Sequence, residues 1–191
     1  MAAYAYLLGV ALLALCLLAA WWRARSRPEP TLAVARVLWA AGGTVVAWVI
    51  AHFLIKPLVD RPRPYLTLAH VEVLLHRTHG PSFPSGHATV AGAVIVALWL
   101  ARDRIVAIIA TVLGLFLAFG RVYAGMHYPG DVVGGLVFGA VVILAVAPVA
   151  VAVLDRFDTL LLTRTPLAPM VSSNEPWSLH APRSGSHYVR R

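Results

Sequence analysis

Five apolar runs, at about residues 4–22, 34–55, 87–101, 105–120 and 132–154, constrain this chain more than any other feature. An α-helix needs roughly 20 apolar residues to cross a bilayer core. A backbone in lipid must satisfy its hydrogen bonds within itself, and a helix does so. The runs therefore predict an all-α fold, a polytopic membrane helix bundle of about five transmembrane helices. Composition agrees: 60% of the 191 residues are hydrophobic, 13% are charged, and the mean hydropathy is +0.77, beyond the range of an ordinary soluble domain. The third and fourth runs are short, so they are expected to tilt little or to extend into the flanking polar segments. The first run has no basic residue before it and "RARSR" after it, the reverse of a signal peptide, and reads as a span.

A net charge of +8 raises the question of nucleic acid. The basic residues are scattered over helix flanks and a tail rather than gathered on one surface, which argues for membrane orientation instead and against a nucleic-acid partner. Arg23, Arg25 and Arg27, then Arg102 and Arg104, then Arg156, Arg164, Arg183, Arg190 and Arg191 mark the connections that stay in the cytoplasm. Five spans then run from an outer N-terminus to an inner C-terminus, and residues 56–86 and 121–131 share the outer face. Residues 1–162 are expected to form the membrane domain. Residues 163–191, rich in Pro, Ser and Arg, are expected to be a disordered cytoplasmic tail. Gly130, Gly134, Gly135 and Gly139 have the small-xxx-small spacing of closely packed helices, here within one chain rather than in a dimer. Cys16 is the single cysteine, so neither an intramolecular disulfide nor a thiolate metal cluster is available.

The predicted outer face collects Lys56 (the only lysine), Arg63, Ser85, Gly86, His87, Arg121, His127 and Asp131. Charge at membrane depth is costly and marks function by default. Three cations without a matching set of carboxylates call for an anionic ligand, and phosphate suits Arg forks and a Lys point charge. Ser85 and Gly86 stand where the third helix begins, where free N–H groups and the helix dipole favour an anion. His127 and Asp131 are four apart, with Pro129 suited to a first helical turn, so the carboxylate can reach back to orient the imidazole. Two histidines can divide nucleophilic attack and leaving-group protonation, while the cations offset phosphoryl charge. No metal or cofactor is called for.

These residues fall into three ordered motifs: Lys56 to Pro64 as K-x6-R-P, residues 84–87 as P-S-G-H, and Arg121 to Asp131 as R-x5-H-x3-D. Over about residues 34–154 the chain resembles the type 2 phosphatidic acid phosphatase (PAP2) superfamily of membrane lipid phosphatases. The resemblance implies that His127 is the nucleophile, Asp131 its orienting partner and His87 the general acid. It implies phosphate binding by Lys56, Arg63, Ser85, Gly86 and Arg121. It further implies a lipid phosphate substrate in the bilayer, first an undecaprenyl-type polyprenyl diphosphate hydrolysed at the outer face of a bacterial cytoplasmic membrane. Phosphatidate and phosphatidylglycerol phosphate are alternatives. Two departures stand out: Gly120 replaces the Ser usual before the third-motif Arg, and the chain has five spans where many members have six.

Other residues receive plainer readings. Spacing selects Arg63 over Arg61, leaving Arg61 and Asp60 to loop structure or substrate contact. His52 is expected to pack within its helix, and His70, His76 and His79 to be solvated loop residues rather than a metal site. A vanadium-dependent haloperoxidase, whose constellation is similar, is disfavoured by the apolar spans. An anion transporter would need neither the His–Asp spacing nor P-S-G-H.

Overall fold

The computed structural model describes residues 2–28 and 30–164, with side chains described for 7–28 and 30–149. Helix α1 (Ala2–Ala24) is followed by α2 (Pro30–Ile50), which opens on a proline whose fixed φ suits a first helical turn. A single π-helical turn, Ala51–Ile55, leads into α3 (Lys56–Val59). Asp60, left-handed at φ 42° and ψ 41°, ends α3 and turns the chain back. The short α4 (Pro64–Thr67) and an irregular loop precede α5 (Gly86–Leu100), α6 (Arg104–Tyr123) and α7 (Pro129–Arg164). The chain divides into two compact units, Met1–Val151 and Ala152–Arg191. In the second unit residues 152–164 are helical, so the expected tail begins within α7, and its residues from 165 on lie outside the described residues.

Except for α5, the helices extend beyond the apolar runs that predicted them. The second begins at Pro30 rather than residue 34, and the last runs from Pro129 to Arg164 rather than over 132–154. Backbone hydrogen bonding continues through flanking polar residues, which the hydropathy pattern does not register. Four stretches, Leu7–Ala24, Pro30–Thr67, Arg104–Tyr123 and Pro129–Val149, are long and apolar enough to cross a membrane. The remaining predicted span, the third, is α5, with 15 residues, about 22 Å at 1.5 Å per residue against a core of about 30 Å. It is the inner helix, packed against α1, α2 and α6, with Ala88, Thr89, Ala91, Gly92, Ala93, Val94, Ala97 and Leu98 buried.

Burial is inverted relative to a protein in water: Leu15, Leu38, Phe53 and Phe116 are exposed, whereas Lys56, Arg63, Arg121, His127 and Asp131 are buried. An apolar exterior is solvated by lipid, and this chain reads as a multi-pass membrane protein. Without a hydrophobic drive between helices, small residues let backbones touch. A Cβ on Gly135 would lie 2.7 Å from the Ser85 carbonyl oxygen, and one on Gly92 or Gly139 would strike the carbonyls of Leu136 or Thr89. Gly135 and Gly139 of the small-residue series thus seat α7 on α5, the expected intrachain role.

The two turns rich in arginine meet at one end. Asp103, the buried N-cap of α6, accepts from Arg23 Nε at 2.9 Å and pairs with Arg27 Nη2 at 3.1 Å, while Arg27 Nη1 donates to the Ala101 carbonyl at 3.1 Å. The C-terminus of α6 and the N-termini of α5 and α7 lie at the other end, with the three motifs.

Candidate active site

Trp48, His52 and Lys56 recur at a spacing of four and all line one cavity of about 310 Å³. Four residues overshoot an α-helical turn of 3.6 and fall short of the wider π turn. One turn of each kind along this stretch keeps the three side chains in line. His52 stacks on Trp48, with ring centroids 5.0 Å apart. His52 thus packs within its helix as expected, and it also lines the cavity. His79 lines it too, and both histidines border an adjoining space of about 520 Å³ with Lys56, Arg63 and Asp60. Neither has a local signal in the sequence, because the loop that carries His79 meets this helical stretch only in three dimensions.

The same 310 Å³ cavity is lined by Arg63, Gly86, His87, Arg121 and His127. Lys56 Nζ donates to the Pro81 carbonyl at 2.8 Å, and Arg63 Nε donates to the Gly80 carbonyl at 3.0 Å. Both cations are anchored by neutral backbone oxygens of the loop before α5, which do not cancel their charge. Ser85 caps α5, and its own N–H donates to the Asp131 carbonyl at 3.0 Å. Its Oγ is buried with no hydrogen-bond partner among the described residues. At Gly86 an added Cβ would meet only Trp48 at 3.7 Å, so the protein's packing does not demand glycine there.

A Schellman turn carries the chain from Arg121 to His127. Met126 N–H donates to the Arg121 carbonyl at 3.2 Å and Gly125 N–H to that of Val122 at 2.9 Å, the paired bonds that close a helix whose next residue is left-handed. Gly125 supplies that conformation at φ +68°, and a Cβ on it would lie 2.6 Å from the Glu72 carbonyl. The turn delivers His127 into the cavity.

Arg63 Nη1, held by the Met126 carbonyl at 3.2 Å, lies 3.5 Å from His127 Nε2. A guanidinium only donates, so Nε2 carries the lone pair and Nδ1 the proton. Nδ1 faces Ser82 Oγ at 3.4 Å and Asp131 Oδ2 at 3.7 Å, and the Ser82 hydroxyl donates to that same carboxylate oxygen. Burial, with Arg63, Arg121 and Lys56 nearby, lowers the His127 pKa to about 4 against the opposing pull of Asp131. The imidazole is neutral at pH 7, with a free nitrogen aimed at the cations.

Spacing alone missed Arg61 and Ser82. Arg61 reaches Asp131 Oδ1 at 2.8 Å and lies over the Tyr128 ring at 4.1 Å, a loop-structure role whose partners the spacing did not name. Both sit in irregular loops, where no periodicity reports direction; the only clue was their closeness to the motif residues.

A family model described as the PAP2 superfamily matches residues 36–153. The chain belongs to the PAP2 superfamily. Among curated proteins it is 37% identical over 103 residues to undecaprenyl-diphosphatase BcrC of Bacillus subtilis (strain 168), covering 53% of this chain and 52% of that one. It is 50% identical over 60 residues to lipid A 1-phosphatase of Rhizobium johnstonii, covering 31% and 24%. The chain thus spans about half the length of BcrC and less of the second relative. A crystal structure of a transmembrane PAP2-type phosphatidylglycerolphosphate phosphatase from Bacillus subtilis aligns with a TM-score of 0.48 at 25% identity, covering 81% of this chain and 73% of that one.

Gly120 lines a separate apolar cavity of about 320 Å³ with Leu8, Leu12, Leu113, Phe116 and Leu117. A Cβ there would meet nothing within 4 Å. Arg121 borders both this cavity and the polar one.

Proposed function

We propose that this protein hydrolyses a lipid phosphate or diphosphate through a phosphohistidine intermediate, with an undecaprenyl-type polyprenyl diphosphate as first substrate. The observation that carries the reading is the cavity lined by Lys56, Arg63, Arg121, His87 and His127, set in a bundle whose outside is apolar. Three cations match a phosphoryl group, and the adjoining apolar cavity suits a hydrocarbon tail. The names of the curated relatives support the same substrate class.

In this mechanism His127 Nε2 attacks phosphorus, forming the N–P bond as the bond to the leaving oxygen breaks. His87, on the first turn of α5, takes up a proton with the anionic substrate and gives it to that oxygen. Lys56, Arg63 and Arg121 offset charge on the equatorial oxygens, a role that divalent ions fill at many phosphoryl-transfer sites. Water, deprotonated by His87, then attacks the phosphohistidine, releasing phosphate and restoring both histidines. Asp131 favours the Nδ1–H tautomer and stabilises positive charge on the ring. The Arg23, Arg27 and Arg102 turns lie at the far end of the bundle, which supports an outward-facing site under the positive-inside pattern.

The test is phosphate release from undecaprenyl diphosphate, phosphatidate, phosphatidylglycerol phosphate and lipid A in mixed micelles with excess chelator. Acid-labile phosphoenzyme is trapped in parallel. Turnover with chelator present, highest on the polyprenyl diphosphate and absent with its phosphoenzyme in His127→Ala, is expected. Preference for another lipid reassigns the substrate, and turnover without a His127 phosphoenzyme rejects the mechanism.

A further inference from the structure

Arg61, Ser82 and Asp131 form a closed triangle across the three motif loops. The Ser82 N–H donates to the Arg61 carbonyl at 2.7 Å, Arg61 Nη1 donates to Asp131 Oδ1 at 2.8 Å, and the Ser82 hydroxyl donates to Asp131 Oδ2. Asp131 is fully buried, and its Oδ2 also accepts from the Tyr128 N–H at 3.0 Å. A buried carboxylate with this many donors has one orientation rather than several. Its orientation matters because Oδ2, with the Ser82 Oγ beside it, is the side that faces His127 Nδ1.

We propose that Arg61 is a positioning residue for phosphoryl transfer: it holds Oδ1 of Asp131 so that Oδ2 and the Ser82 hydroxyl oxygen together accept the Nδ1–H of His127. Ser82 is the bridge in this arrangement. With its own hydrogen committed to Asp131, its lone pair is left for Nδ1–H, across a gap where the carboxylate itself stands 3.7 Å away. The Arg61 guanidinium also lies over the Tyr128 ring at 4.1 Å, a contact that ties the fork to the loop bearing His127 and Asp131. Arg61 does not line the phosphate cavity, unlike Lys56, Arg63 and Arg121, so its charge serves Asp131 rather than the ligand. The inference rests on the phosphatase reading above for its kinetic consequences, and on geometry alone for the tautomer.

The experiment is a double-mutant cycle with a spectroscopic arm. Arg61→Ala, Arg61→Lys, Asp131→Asn and the Arg61→Ala/Asp131→Asn pair are compared on one lipid phosphate. Arg61→Ala is expected to lower kcat about 10- to 100-fold, as loss of an outer partner of an oriented histidine does, with KM moving less than about 3-fold. Arg61→Lys should recover part of the loss, and the double variant should be no slower than Asp131→Asn, since the two act as one unit. Additive losses, or a raised KM with kcat retained, would overturn the proposal. ¹⁵N-imidazole NMR of His127 supplies a readout independent of turnover: wild type should show the Nδ1–H tautomer, and both Arg61→Ala and Ser82→Ala should mix it with Nε2–H. Unchanged tautomer populations overturn the positioning role. If wild type hydrolyses no lipid phosphate but the tautomer shifts as stated, the functional reading fails while the positioning stands. Should Arg61→Ala not accumulate as folded protein, Arg61→Lys and Ser82→Ala carry the same comparison.

Discussion

His127 Nδ1 and Asp131 Oδ2 stand 3.7 Å apart, one helical turn removed from each other in the chain. The carboxylate is close enough to stabilise a charged ring, and the Ser82 hydroxyl fills the space between. Asp131→Asn keeps the shape but removes the charge. A loss on the order of 10² to 10⁴ in kcat with KM little changed is expected, by analogy with carboxylate-oriented histidines in acyl transfer. Arg121→Ala should instead raise KM and lower kcat together, because on the proposed reading a fork lining the cavity would serve both bound substrate and transition state. Steady-state kinetics of both variants in mixed micelles check this; near-normal kcat in Asp131→Asn would show that His127 needs no carboxylate.

The buried His127 titrates at about 4, below the 6.5 of a free imidazole. Between these values the unfolded chain binds more protons than the folded one. Stability from keeping His127 neutral is therefore complete above 6.5 and declines as pH falls toward 4. An NMR titration should place the midpoint near 4, and His127→Gln should flatten the fall in melting temperature across that window. A midpoint near 6.5 would mean that the ring is solvated.

Gly125→Ala should be destabilising. At φ +68° a Cβ costs about 1–2 kcal/mol for conformation alone, and the contact with the Glu72 carbonyl adds to this. The Schellman turn that places His127 should shift as well. A lower melting temperature in detergent together with reduced kcat is expected, and wild-type values for both would refute the account.

Asp103→Ala separates stability from catalysis. It removes the α6 N-cap and two pairs with partly solvated arginines, for a loss of about 1–2 kcal/mol. Because the cluster lies at the end of the bundle away from the cavity, kcat on the folded fraction should be unchanged. Denaturation curves beside activity assays decide it.

Membrane sidedness is open to cysteine labelling. In a Cys16→Ala background, His76→Cys in the loop before α5 should react with an impermeant reagent on intact cells, and Ser26→Cys in the arginine turn should not. The reverse pattern would put the cavity on the cytoplasmic side.

Apolar run length and motif spacing, both local properties, carried the reading a long way. Runs near the length of a bilayer core require helices, and the three motifs name the side chains that converge on one cavity: Lys56, Arg63, Gly86, His87, Arg121 and His127. The helix ends were less legible, since Pro30 and Pro129 begin helices through backbone geometry rather than hydropathy. Only the tertiary structure decided how Asp131 is held. Its partners Arg61 and Ser82 lie 70 and 49 residues away along the chain, in loops without periodicity. Nothing in either loop's own sequence encodes the direction of those side chains; it is set where α7 packs on α5 through Gly135 and Gly139 and brings the loops together.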